Sequence, residues 1–364
     1  MTQTGRPDPP ALHPLLATGD ESLLDDLLRL CAAAGVTPDV ARDATATRRG
    51  WATAGMVLVG GDLSRQLVAA APARRGNVVL VSRDSDDASV WQKAVTVGAE
   101  HVCVLPDAEQ WLVDALGACL DGSPTPCVTV SIVGGCGGAG ASTLAGALAV
   151  TAVDRDRRVL LVDADPLGGG IDMVLGNEDS AGLRWPDLSD TQGRVSAASL
   201  REALPSFHSL SVLSWDRGDS LTIPPESMRS VLDAGQRGHD LVVVDVPRRL
   251  DAAAEEALTR STMTVLVVPG EVRAVAAAAR TLGRLRLIAQ ELAVVVRGPG
   301  PSGLDGEVVA ESLGLPLLAC MRPERGLAEA LDQGLGPVRR RRGPLVSGCL
   351  EILDRLLGSS SAVA

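Results

Sequence analysis

Between an apolar run and a helix-forming run, the chain places five glycines within seven residues, in Val128-Thr-Val-Ser-Ile-Val-Gly-Gly-Cys-Gly-Gly-Ala-Gly-Ala-Ser-Thr-Leu-Ala145. Glycines let the backbone wrap so that successive N–H groups converge on an anion, and the following helix adds the positive end of its dipole. Phosphate is the ligand such a turn suits. In the spacing GxxxxGK[ST], Gly135 and Gly140 take the two glycine positions and Ser142 the hydroxyl position, with Ala141 where lysine belongs. Gly137, Gly138, Ala139 and Thr143 complete the loop. The rival reading is a tight strand-to-helix turn that holds nothing.

Asp245 is the second position that asks for a partner. It ends the apolar run Leu241–Val244 and precedes Val-Pro-Arg248. A carboxylate there costs burial energy unless something pairs with it. Lys93 is the only lysine in the chain, so no lysine after the glycine loop can replace the missing one.

The elements that position these residues follow a β/α rhythm. Strands are expected at Leu15–Thr18, Met56–Val59, Val78–Val81 and His101–Leu105, with helices at Glu21–Ala34, Ser89–Val97 and Ala108–Leu120. Asp121-Gly-Ser-Pro-Thr-Pro126 cannot extend a helix and has no apolar anchor, so it reads as the linker signal. A second alternation has strands at Val128–Val133, Val159–Val162, Leu210–Leu213, Leu241–Val244, Thr264–Val268, Ala293–Val296 and Leu315–Leu318. Helices are expected at Ser142–Val153, Val272–Ala289 and Leu345–Leu357. Strands alternating with helices predict parallel sheets covered on both faces. The resulting plan is a lead at 1–13, a domain at 14–122, a linker at 123–127, a domain at 128–343, an amphipathic helix at 344–358 and a loose tail at 359–364.

Composition narrows the function classes. A core of small aliphatics (46% hydrophobic residues, one Phe and no Tyr) suits buried parallel strands. The net charge of −11 argues against a whole-surface attraction to nucleic acid or anionic lipid, and no specific nucleic-acid partner is expected. Seven cysteines without a CxxC pair read as reduced, mostly buried thiols. Cys136 reads as a small buried filler, and Trp91, Trp111, Trp185 and Trp215 as packing or interface residues. The first residues carry no apolar signal region and no stretch is long enough to span a bilayer, which predicts a cytoplasmic protein. The run Arg339–Arg342 before an amphipathic helix could meet anionic lipid through residues 339–357. The favoured alternative packs that helix on the domain, because its polar face sets Glu351 and Asp354 against Arg355.

Three motifs in order resemble the ParA/MinD family. Cys136-Gly-Gly-Ala-Gly-Ala-Ser-Thr143 resembles its loop KGGxGK[ST]T. Val159-Leu-Leu-Val-Asp-Ala-Asp165, with Ile171-Asp-Met-Val-Leu-Gly176, resembles its switch strand. His239-Asp-Leu-Val-Val-Val-Asp-Val-Pro-Arg248 resembles its second acidic strand. The form VVVDxPR is most similar to the CpaE/TadZ branch, which localises pilus and secretion machinery. Within that branch, Ala99-Glu-His-Val-Cys-Val-Leu-Pro-Asp-Ala-Glu109 and Met321-Arg-Pro-Glu-Arg-Gly-Leu-Ala-Glu-Ala-Leu-Asp332 resemble actinobacterial septum site-determining (Ssd, CpaE-like) proteins.

The resemblance implies an α/β fold: a receiver-like (flavodoxin-like) pseudo-receiver domain joined to a P-loop NTPase-like parallel-sheet domain of ParA/MinD type. It implies weakly held ATP or ADP at Gly135, Gly137–Thr143, Asp163, Asp165, Asp245 and Arg248, with Mg²⁺ near Ser142, Asp163 and Asp245. It also implies a homodimer that positions division-septum or pilus/secretion proteins, with recruitment to the inner face of the membrane at septum or pole as an option. The chain departs from the family at both loop lysines, which are Ala141 and Cys136 here. Drift from lysine to arginine would have left arginines. Phosphoryl transfer depends on positioned cations worth about 10³–10⁵ in rate, so fast hydrolysis is not expected. Arg248 is the nearest candidate for a replacement cation.

The first domain departs too. Active receivers need an acidic pair, an acceptor Asp and a Lys after strands one, three and five. This chain offers Asp20, Asp62 as a candidate metal pair, and Leu105-Pro106 in place of the lysine. The expectation is a localisation factor with a degenerate nucleotide loop. Its rivals are a working ATPase with an arginine surrogate and a pure interaction scaffold that binds no nucleotide.

Overall fold

Buried runs of Val, Leu and Ile build every central strand, and the computed structural model describes residues 13–70, 75–84, 89–120, 127–189, 195–219, 221–300, 303–339 and 342–359. The chain divides into two compact units, Met1–Pro124 and Thr125–Ala364. The lead expected at 1–13 (but for His13), the linker signal at 121–126, Arg340, Arg341 and the tail at 360–364 lie outside the described residues.

The first unit runs β1 (Leu15–Ala17), α1 (Glu21–Ala33), β2 (Asp39–Ala41), α2 (Ala44–Trp51), β3 (Val57–Gly60), α3 (Ser64–Ala70), β4 (Val78–Ser82), α4 (Val90–Val97), β5 (His101–Val104) and α5 (Glu109–Leu120). Its five strands are parallel in the order β2-β1-β3-β4-β5. Leu16, Leu58, Val79 and Cys103 face one apolar layer with Leu23, Leu27, Leu112 and Leu116. Leu15, Val57, Val59 and Leu80 face the other with Trp51, Leu67 and Ala94. Side chains alternating across a strand make both faces apolar, and helices cover both. The strand β2 escaped sequence reading because it is a three-residue edge with two exposed positions.

The second unit runs β6 (Val128–Gly134), α6 (Ala141–Val153), β7 (Val159–Asp163), α7 (Ile171–Leu175), α8 (Trp185–Leu188), α9 (Ala197–Ala203), β8 (Ser206–Phe207), β9 (Leu210–Leu213), α10 (Pro225–Gly238) and β10 (Leu241–Val246). It continues through α11 (Ala252–Arg260), β11 (Met263–Pro269), α12 (Val272–Leu285), β12 (Leu292–Arg297), α13 (Gly306–Leu313), β13 (Leu317–Met321), α14 (Leu327–Asp332) and α15 (Pro344–Ser359). The sheet order is β13-β12-β11-β6-β10-β7-β9-β8, parallel except for the two-residue β8, which runs antiparallel to β9. The connection after β6 runs towards β7 and that after its neighbour β11 runs the other way, towards β12, so the turn after β6 stands at a topological switch point. Ligands of such sheets lie beyond the carboxyl ends of the strands at that point.

Helix α6 is buried along almost its whole length, and α15 packs against it. Leu345, Cys349, Ile352, Leu353 and Leu356 of α15 all join the core layer of α6. Its polar side forms the pairs Arg355–Glu351 and Arg155–Asp354. The apolar stripe expected at 345–357 is thus spent on the domain, as in the favoured alternative. Among the described residues no helix is long and apolar enough to cross a membrane.

Candidate functional site

The glycine turn is built by three constraints on its backbone. Gly138 and Gly140 have φ of 69° and 92°, a region where a side chain is strained. Gly135 is required by packing, because a Cβ there would sit 2.8 Å from that of Ala278 on α12. Gly137 and Gly138, in contrast, have nothing within 4 Å of where a Cβ would be. The turn is therefore held tightly from below and open from above. Gly140 is the N-cap of α6 and offers no side-chain cap, and among the described residues the N–H groups of Ala141, Ser142 and Thr143 donate to no oxygen. Those are the orphan donors every helix start leaves.

Asp163 and Asp245 meet beside the turn because β7 and β10 are neighbours in register, with these two residues as Cα partners. They are 2% and 4% exposed. Burial pushes the Asp245 carboxyl up to about 7, helped by the charge of Asp163 and opposed by a hydrogen bond from the Ser142 hydroxyl. Burial also pushes Asp163 up, to about 6. Asp163 accepts from the backbone N–H of Asp165 (3.1 Å) and Ile171 (2.8 Å) and from the Ser214 hydroxyl (3.0 Å). It is well satisfied. Asp245 has fewer partners and stands near Ser142, the residue that would face a metal ion on a bound phosphate.

The remaining expected residues stand further off. The Asp165 carboxylate accepts from Leu167 N–H at 3.0 Å and so closes its own turn. Arg248 lies two residues past β10, exposed, and among the described residues no hydrogen bond or ion pair joins its guanidinium to the loop. The guanidinium at the loop belongs to Arg297, the last residue of β12. Its Nη1 lies 3.0 Å from where a Gly140 Cβ would be. Sequence reasoning missed it because Arg297 is about 160 residues downstream and in no motif.

It also missed the frame under the switch strand. The Trp185 indole donates to the Asp163 carbonyl at 2.6 Å, and its ring lies 6.4 Å from that of Trp215. Ser214 links Asp163 to Asp172, and Arg217 pairs with Asp172 at 3.2 Å. Trp185, expected to pack or sit in an interface, also fixes the backbone that carries Asp163. Cys136 is half-buried.

In the first unit, the candidate metal pair is committed elsewhere. Asp20 caps α1 through Ser22 and Leu23 N–H. Asp62 accepts from the Thr18 hydroxyl (2.9 Å) and Gly19 N–H (2.7 Å), latching the turn after β3 to that after β1. Among the described residues, no group of three or more acidic, His or Cys side chains is arranged to hold a metal ion. A Mg²⁺ that brings its own phosphate and water oxygens does not require one. An open cradle, Ser142 and an under-bonded buried carboxylate fit a Mg-nucleotide in kind, though without lysine.

Comparison with known proteins agrees with this architecture. A family profile described as "Rv3660c-like, CheY-like N-terminal domain" matches residues 17–126, and one described as "Cellulose biosynthesis protein BcsQ" matches residues 128–289. The chain is 40% identical over 342 residues to "Uncharacterized protein Rv3660c" of Mycobacterium tuberculosis H37Rv, covering 93% of this chain and 96% of that one. It is 24% identical over 246 residues to septum site-determining protein MinD of Helicobacter pylori, covering 64% and 91%. A ParA family ATPase from Chlorobium tepidum superposes with a TM-score of 0.57 at 17% identity, covering 62% of this chain and 96% of that one.

Proposed function

From the premise that the chain belongs to the two-domain family of Rv3660c, within the ParA/MinD superfamily, we propose that it is a localisation factor whose nucleotide loop binds but scarcely hydrolyses. The observation that carries this reading is the loop itself. Its glycine framework is intact and open at Gly137 and Gly138, and Ser142 stands beside the buried Asp245. The charges that would drive phosphoryl transfer are gone at Cys136 and Ala141. Preorganised N–H groups bind phosphate without lysine, whereas turnover needs cations placed for the transition state.

Relatives named for septum-site determination suggest what such a factor serves. We assign it, by the acidic strand His239–Arg248, to the CpaE/TadZ-like branch, alongside actinobacterial septum site-determining proteins, with the division septum or a pilus/secretion complex as the machinery placed. The first unit would act as a protein-contact domain, since its acidic residues are engaged in loop and cap bonds. The test is binding of a fluorescent ATP analogue to the full chain with and without Mg²⁺, followed by phosphate release on the same sample. Binding without release supports the reading. No binding points to a pure scaffold, and release at the pace of lysine-bearing relatives points to a working ATPase.

A further inference from the structure

Arg297 ends β12, held in the sheet beside Pro269 of β11 and Met321 of β13. Its side chain crosses to the glycine turn. The missing Cβ of Gly140 would meet Nη1 at 3.0 Å, Cζ at 3.9 Å and Cδ at 4.0 Å. A residue larger than glycine would push the guanidinium away, so the close approach depends on Gly140 as much as on Arg297.

The electrostatics of this approach are unfavourable without a third party. Gly140 is the N-cap of a 13-residue helix, where unpaired N–H groups present roughly half a positive charge. A guanidinium set against that end is a like-signed pair. Elsewhere in the chain arginines meet carboxylates, as in Arg29–Glu109, Arg158–Asp240, Arg229–Glu256 and Arg260–Asp233. The Arg297 side chain makes no hydrogen bond or ion pair among the described residues. An anion seated on the turn would satisfy both groups at once, since a planar guanidinium offers paired donors to phosphate oxygens.

We propose that Arg297 is the phosphate-binding cation of this loop, reaching Gly140 from β12 in place of the lysines absent at Ala141 and Cys136. The inference rests on the nucleotide reading above and adds which side chain neutralises the ligand and which part of the ligand it holds. It explains how the loop keeps affinity. A cation carried by β12, two strands from β6, stabilises the bound phosphates from beside the loop.

The test is calorimetric titration of the full chain with ATP and, separately, with inorganic tripolyphosphate, each with Mg²⁺. The proteins are wild type, Arg297→Gln, Arg297→Lys and the double variant Arg297→Gln with Ala141→Lys. Arg297→Gln should lose about tenfold or more in affinity for both ligands alike. Arg297→Lys should fall between, and Ala141→Lys should recover much of the loss. The exposed site makes unchanged melting curves the expectation for the single variants, which separates binding loss from unfolding. Equal affinity in wild type and Arg297→Gln would overturn the proposal. A loss for ATP but not for tripolyphosphate would also overturn it, because Arg297 would then read the nucleoside. Wild type that binds neither ligand would sink the nucleotide reading itself, and this inference with it.

Discussion

Asp163 and Asp245 occupy facing positions on adjacent parallel strands, both almost wholly buried, and only Asp163 is saturated with hydrogen bonds. The two carboxyls therefore resist ionising together, and both titrate above the ordinary range. A raised folded-state pKa means the protonated form is favoured in the fold. The stability it contributes is complete below the unfolded value near 3.8 and is lost as pH rises through about 6 to 7.

The ligand-free protein should accordingly melt at lower temperature at pH 8 than at pH 5.5, as far as this pair is concerned. Asp245→Asn should flatten that slope and stabilise the apo fold at pH 8 by on the order of a few kcal/mol. A cation bound near the pair needs the ionised form, so Mg²⁺-dependent binding should strengthen over the same window. Calorimetric melting from pH 5 to 8 of both proteins is the check. An Asn variant with the wild-type slope would remove Asp245 from this role.

Trp185 should matter more than its distance from the glycine turn suggests. Trp185→Ala should cost about 3–5 kcal/mol from the cavity alone. Trp185→Phe keeps most of the ring but loses the bond to the Asp163 carbonyl, and should cost about 1–3 kcal/mol. Urea denaturation of the two variants distinguishes these sizes. Equal costs would mean that the indole N–H contributes nothing.

The strands were legible from sequence because buried parallel strands are written as unbroken runs such as Val159–Val162 and Leu241–Val244. The glycine turn was legible because its backbone needs the residue type at each position. Edge elements were not: β2 and β8 are two or three residues long and carry exposed positions. Nor were the partners that meet only in space. Arg297, Ser214 and Trp185 reach the site from β12, from just past β9 and from α8, and no local spacing links them to Gly140 or Asp163. Nor does the sequence show that Asp20 caps a helix and that both oxygens of Asp62 accept from the turn after β1.

Their engagement predicts that the first unit does not accept phosphate. Incubation with a small phosphodonor should leave the intact mass unchanged. A phosphate-sized gain that disappears in Asp62→Ala would contradict this. The same substitution should destabilise the unit by about 1–3 kcal/mol, because Thr18 and Gly19 lose their acceptor.

Assembly should not be switched by nucleotide. Pairing face to face across two ATP molecules would bring their phosphate charges together, and Cys136 adds no positive charge there. Light scattering at matched concentrations should give one mass with and without ATP and Mg²⁺. A monomer that pairs only on adding ATP would restore the switch.

A loop that holds nucleotide without consuming it leaves a simple chemical record. Radiolabelled ATP and Mg²⁺ are mixed with excess full-length protein, the bound fraction is separated, and the label is resolved into ATP and free phosphate over hours. In wild type the bound fraction should remain ATP. In Gly140→Val, where a side chain would occupy the path between the turn and Arg297, no bound fraction is expected. No bound label in wild type, or label released as phosphate within minutes, would contradict that reading.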